Sequence, residues 1–229
     1  MRYLAPLVIV IAGCGKPAAT PTPAPASPDP VLDTLPADCR QAIVVRPQFG
    51  KKVDVTVRAF ERAAAGTWEE KFDPTPGTVG RNGITSAEKK KEGDGCTPAG
   101  TYAVGPAFGY AESIDTKLTY RRASENDFWV DDAESPDYNR WVVGKPAAKS
   151  FELMKRHDDL YEIGAVIRYN NDPVVPGKGS AIFLHVWPGP GKPTAGCVAV
   201  DKEVLKKLLH WLNDESRPRI VIALGKSAV

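Results

Sequence analysis

The 229-residue chain is poor in metal ligands. It has three histidines and four cysteines, with no cysteine pair at C-x-x-C spacing and no two histidines at i, i+4. Zinc sites are usually built from such local pairs, so the sequence argues against a metal centre. Charge of one sign is also missing: 30 Lys and Arg stand against 28 Asp and Glu. No basic cluster is interleaved with aromatics, which speaks against nucleic acid as a partner. The run Lys89-Lys90-Lys91, in front of Glu92, reads as a solvated loop. Long apolar runs are absent too; the longest, near the N-terminus, has about ten residues, too few to span a bilayer. What is present is globular: 42% hydrophobic and 25% charged residues can build a packed core. The length suits one ordinary domain and a tail.

The N-terminus MRYLAPLVIVIAGC has one early positive charge, an apolar stretch, and then Ile11-Ala12-Gly13-Cys14. This resembles the lipobox of bacterial lipoproteins. The resemblance implies that residues 1–13 are a signal peptide and that Cys14 is lipidated, anchoring the mature protein to a membrane outside the cytoplasm. Residues 14–38 read as a tether: six prolines fall between Pro17 and Pro30, amid Ala, Thr and Ser. Such a stretch is extended and semi-rigid. The folded domain is expected over residues 39–229, facing the periplasm or cell wall.

Within it, Ala42-Ile43-Val44-Val45 predicts a buried strand. Val53, Val55 and Val57 alternate with polar residues, as in a half-buried one. Gly66-Thr67-Trp68 suits a hairpin turn, and Thr78–Gly83 a strand entering a glycine turn. This opening meander favours an antiparallel sheet. Phe108–Trp141 is aromatic but aperiodic, a pattern expected of groove-lining segments or of an ordered surface excursion. Ser150–Tyr161 suggests a short helix with Phe151, Met154 and Leu160 near one face. Ile163–Tyr169 reads as a strand ending in Asn170-Asn171-Asp172-Pro173. Asp201 is a candidate N-cap for a helix bearing Val204, Leu205, Leu208 and Leu212, and Ile220–Leu224 a last buried strand. His157 and His210 lie in polar or lysine-rich surroundings and read as structural.

The informative stretch is Ser180–Val200, SAIFLHVWPGPGKPTAGCVAV. An apolar strand delivers His185; after eleven intervening residues, Cys197 precedes Val198-Ala199-Val200. A cysteine nucleophile needs a base to form thiolate and donors to stabilise the oxyanion. His185 is placed for the first role if its strand lies beside the one after Cys197. Gly196 permits close backbone approach, and the amides around Ala195 and Gly196 are candidates for an oxyanion hole. No Asp or Asn is fixed by spacing to orient His185, so a backbone carbonyl and a side chain both stay open. Equally open on pattern alone is a buried strand cysteine beside a core histidine.

The strand Ile182-Phe183-Leu184-His185, the Thr-x-Gly-Cys-Val element at Thr194–Val198 and the upstream Thr97-Pro98-Ala99-Gly100-Thr101-Tyr102 together resemble the YkuD-type L,D-transpeptidase catalytic domain. The resemblance implies a mainly β (β-rich α+β) sandwich or barrel with one or two peripheral helices. It makes Cys197 the nucleophile and His185 the general base and acid, with the upstream segment framing the site and no cofactor required. The implied partners are peptidoglycan stem peptides, joined by 3→3 cross-links through a Cys197 thioester. Hydrolysis of the same acyl-enzyme by water, as in an L,D-carboxypeptidase, and a non-catalytic wall-binding lipoprotein are the alternatives. Two positions depart from the family pattern: Ala195 replaces a second histidine and Ala199 an arginine. Arg140, Arg168 and Lys192 are candidates for reading a substrate carboxylate in its place, with Thr194, Trp187 and Asn139 as further substrate contacts. If Cys14 is acylated, three cysteines remain; a Cys39–Cys96 disulfide that leaves Cys197 free is the simplest expectation.

Overall fold

The computed structural model describes residues 27–225; the expected signal segment, Cys14 and the first part of the tether lie outside them. Strands β1 (Gln41–Pro47), β2 (Asp54–Arg62) and β3 (Trp68–Thr78) form the expected antiparallel meander. Next come β4 (Ile84–Ser86), β5 (Thr97–Gly109), β6 (Tyr120–Arg122), β7 (Asp127–Val130), β8 (Trp141–Val143) and β9 (Phe151–Leu153). The chain continues through β10 (Ile163–Ile167), β11 (Phe183–Val186), β12 (Val198–Val200), helix α1 (Lys202–Trp211) and β13 (Arg219–Ile222).

Strands β10, β11, β12, β3, β2, β1, β13 and β5 pair in that order, and β5 returns to β10, closing a barrel. Closure leaves no free edge along this ring. β4 and β6 add to β5, and β8-β7-β9 form a separate three-stranded sheet. The fold is thus mainly β with one α-helix among the described residues, consistent with the expected class. Two pairings within the ring are parallel, β1 with β13 and β11 with β12. The second of these makes the site.

Alternation sorts the side chains, since successive residues of a strand point to opposite faces. Ile43, Val45, Val55, Val57, Leu184, Val198, Val200, Ile220 and Ile222 belong to the main core, joined by Leu205, Leu208, Leu209 and Leu212 from the α1 region. Asp201 caps α1 by accepting from the Glu203 and Val204 amides, as expected. The intervening residues point outward into two smaller clusters. Ala42, Val44 and Val221 meet Leu32, Leu35 and Cys39. Phe183 and Cys197 meet Phe108, Trp129, Met154 and Tyr161. Because β1 is covered on both faces, its sequence is a continuous apolar run rather than an alternating one.

Several expectations change. Packing onto the domain includes residues before Cys39: a 3₁₀ turn at Pro30–Thr34 buries Leu32, and Asp29 makes a two-point ion pair with Arg46 at 2.6 and 2.8 Å. Residues 27–38 therefore pack on the domain instead of extending the tether. Phe151–Leu153 is a strand, not part of a helix; its backbone pairs with β7, and Asp158 then turns the chain by accepting from the Leu160 amide. Cys39 and Cys96 are free thiols. Cys39 is buried in the N-terminal cluster, with its thiol on the Gln41 carbonyl, whereas Cys96 Sγ faces the Asn82 and Asp94 carbonyls. Their different surroundings leave the expected disulfide unmade. Lys90 is only 3% exposed, its ammonium held by Asp94 at 2.8 Å and by the Lys91 carbonyl, so the lysine run is not uniformly solvated.

Candidate active site

The parallel register sets Leu184 opposite Val198 and His185 opposite Ala199. Leu184 and Val198 face the barrel interior, so Phe183, His185 and Cys197 share the outer face. Both His185 and Cys197 line one cavity of about 330 Å³ on that face. The same cavity is lined by Glu152, Arg156, Tyr161, Arg81 and Asp131.

Cys197 is 5% exposed. Its thiol donates to the Ala181 carbonyl at 3.2 Å, and its sulfur accepts from the Phe183 amide at 3.3 Å. Burial and then the Glu152 carboxylate push the thiol up to about 12, while the Phe183 N–H and the Tyr161 hydroxyl act in the opposite sense. The backbone around Cys197 is fixed by two threonines: its carbonyl accepts from Thr194 Oγ1 at 2.8 Å and from Thr97 Oγ1 at 3.2 Å. Thr97 opens the Thr97–Tyr102 segment, which therefore frames the site from β5. Gly196 is closely approached: a Cβ there would stand 3.1 Å from the Cys96 carbonyl oxygen and 3.3 Å from Ile182, so a side chain would require these neighbours to give way.

His185 is 4% exposed and packs its ring edge-on against Tyr161 at 5.2 Å. Burial holds its pKa down to about 4, so the imidazole is neutral at pH 7. Nδ1 lies 2.7 Å from the Val186 carbonyl, which can only accept, so the proton sits on Nδ1 and Nε2 is left as the basic nitrogen. The orienting partner is thus a backbone carbonyl.

A model of the L,D-transpeptidase catalytic domain, YkuD, matches residues 62–222. The chain belongs to this family. No curated protein matches the chain. The family's matched span leaves out β1 and most of β2, which this chain nonetheless builds into its barrel.

The other expected site residues divide. Ala195 lines the cavity, as does Gly196, but the Gly196 N–H is already donated to Thr194 Oγ1 at 3.1 Å. Thr194 serves this turn from within. Asn139 is a strut: it is buried, accepts from Trp129 Nε1 and the Ala181 amide, and donates to the Tyr169 and Asn170 carbonyls. It thereby fixes Ala181, which adopts a left-handed φ of 52° and offers its carbonyl to Cys197. Arg140 and Lys192 are exposed and outside the cavity lining, as is the half-buried Trp187. Arg168 lines a different cavity with Asp214 and Arg219. His157 is exposed, and His210 pairs with Asp115 at 2.8 Å on the surface.

The cations that do line the cavity, Arg81, Lys90 and Arg156, escaped the sequence reading, as did the carboxylates Glu92, Asp131 and Glu152. None has a spacing signal relative to Cys197. Phe108–Trp141, expected at a groove, mostly packs behind it: Trp129 and Trp141 belong to the cluster around Cys197, and Asp131 alone of that stretch lines the cavity.

Proposed function

We propose that this L,D-transpeptidase family domain forms 3→3 cross-links between peptidoglycan stems through a thioester on Cys197. The supporting observation is that a neutral His185, with Nε2 basic, and Cys197 line the same outer-face cavity. Cys197 sulfur attacks the carbonyl at the L-centre of the third residue of a tetrapeptide stem, and His185 takes the thiol proton. The amide C–N bond breaks, His185 returns the proton to the departing D-alanine amine, and a thioester forms. An amine of a second stem then attacks the thioester and restores the thiol.

Mixed charge in the cavity supports a zwitterionic substrate and an amine acceptor. Arg81 and Arg156 stand in for the arginine missing at Ala199 as groups that read a carboxylate. Asp131, whose Oδ1 is buried without a hydrogen-bond partner, gives an ammonium a place to bind. Lipidation at Cys14 and the proline-rich tether would hold the domain in the cell envelope, within reach of the wall.

The test is to incubate the full chain with disaccharide-tetrapeptides and follow products by mass spectrometry, with Cys197→Ala as control. Cross-linked dimers that vanish in the control support transpeptidation. Tripeptide and free D-alanine alone would assign the acyl-enzyme to hydrolysis, and an active Cys197→Ala variant would refute the mechanism.

A further inference from the structure

The residues facing Cys197 include a tyrosine and a carboxylate that the His185 mechanism does not use. Tyr161 is 4% exposed, packs in the same cluster as Cys197 and touches the His185 ring. Tyr161 and Cys197 line the same cavity, where the tyrosine opposes the rise that burial gives the Cys197 thiol. The Tyr161 hydroxyl donates to Glu152 Oε2 at 2.6 Å. Glu152 is delivered by β9 and lines the cavity. The charged groups that act on Glu152 are Arg156, Asp131 and Glu92, which line the same cavity with Arg81 and Lys90; the Arg156 guanidinium sits 5.0 Å from the Tyr161 ring centroid and is itself held by Asp158.

We propose that Cys197 has a second proton outlet, through the Tyr161 hydroxyl to Glu152, in addition to His185. This rests on Cys197 being the nucleophile of the reaction proposed above. In the resting site the thiol donates to the Ala181 carbonyl and Tyr161 donates to Glu152. On activation the S–H proton moves to the Tyr161 oxygen while the Tyr161 proton moves to Glu152. One S–H and one O–H bond break, and new O–H bonds form on Tyr161 and Glu152. The result is a thiolate that accepts a hydrogen bond from Tyr161, beside a neutral carboxylic acid that donates to the tyrosine oxygen. The site's total charge does not change, which matters where burial makes an added charge costly. Burial raises the Glu152 carboxyl above its ordinary value, which makes it a better proton acceptor than a solvated carboxylate. Tyr161 then carries the proton away from the reacting sulfur, and Glu152 is the proton-holding residue behind it.

The test needs no peptidoglycan, so it can fail while the cross-linking assay succeeds, and the reverse. The rate of Cys197 alkylation by iodoacetamide is followed in the full chain by peptide mass spectrometry between pH 6 and 10. Buried Cys39 serves as an internal gauge, since it stays unlabelled while the fold holds. Glu152→Gln keeps a hydrogen-bonding side chain but cannot take the proton, and it slows alkylation at pH 8 by about tenfold or more. Tyr161→Phe reproduces this, and Glu152→Gln combined with His185→Gln is slower than either alone. Should Tyr161→Phe expose Cys39, the comparison of Glu152→Asp with Glu152→Gln decides, with only Asp keeping the rate. An unchanged rate in Glu152→Gln overturns the proposal. So does a faster one, the behaviour of a carboxylate that merely repels the thiolate, or a slowing that folded Tyr161→Phe does not share.

Discussion

A neutral, buried imidazole changes how the fold responds to acid. The His185 pKa lies near 4 in the folded protein against an ordinary 6.5, because burial disfavours the cation. A depressed pKa stabilises the fold above pH 6.5, and that stability is lost as pH falls toward 4, since the unfolded chain takes up the proton first. With 1.36 kcal/mol per unit, the loss is about 3 kcal/mol. His185→Gln should therefore flatten the decline in unfolding free energy between pH 6.5 and 4, measured by urea titration. An unaltered slope would show that His185 is not the group responsible. At the same scale, Cys197 resembles a packed core thiol more than an exposed reactive one, which is why pattern alone left both readings open. The chemistry proposed for it depends on its neighbours Ala181, Phe183, Tyr161 and Glu152.

The segment joining β10 to β11 and the turn before β8 are tied together by one side chain. Asn139 joins Trp129, Ala181, Tyr169 and Asn170 through four buried or partly buried hydrogen bonds. Asn139→Ala leaves those partners without it, so it should cost about 2–4 kcal/mol of stability by thermal or denaturant unfolding. Because Ala181 then loses its anchor, the same variant should also alter the Cys197 alkylation rate. A stable variant with wild-type thiol reactivity would show that Asn139 does not hold Ala181 in place. This element shows where sequence reading stopped. Asn139 lies in an aperiodic stretch and its partners are up to 42 residues away, so no local spacing assigns its role. The strand at Phe151–Leu153 was missed for a similar reason: its partner, β7, is remote, and three residues carry too little periodicity to reveal a strand.

The barrel as a whole needs a cover on its β1 side. Leu32 and Leu35 supply it, fastened by the Asp29–Arg46 ion pair; burial opposes ionisation of Asp29, but the Arg46 guanidinium overrides it and holds the carboxyl below its ordinary value. Leu32→Ala should destabilise the domain by about 2–5 kcal/mol, as expected for a fully buried leucine. A chain begun at Cys39 should melt lower than one begun at Ser27 and bind a hydrophobic dye such as ANS. Equal melting temperatures would return residues 27–38 to the tether.

Short-range chemistry was therefore settled by the sequence alone. The β-rich composition of the meander, the capped helix after Asp201, the apolar strands, and the His185 and Thr194–Val198 signature of the family all depend on neighbours a few residues apart. Tertiary structure decided what that signature is surrounded by. Parallel pairing of β11 with β12 turned His185 and Cys197 to one face, Thr97 of β5 holds the Cys197 carbonyl, and the β8-β7-β9 sheet and two loops bring Glu152, Tyr161 and Arg81 to the same cavity. The charges that meet there come from loops and a strand far apart in the chain, and only the tertiary packing of those segments reveals them.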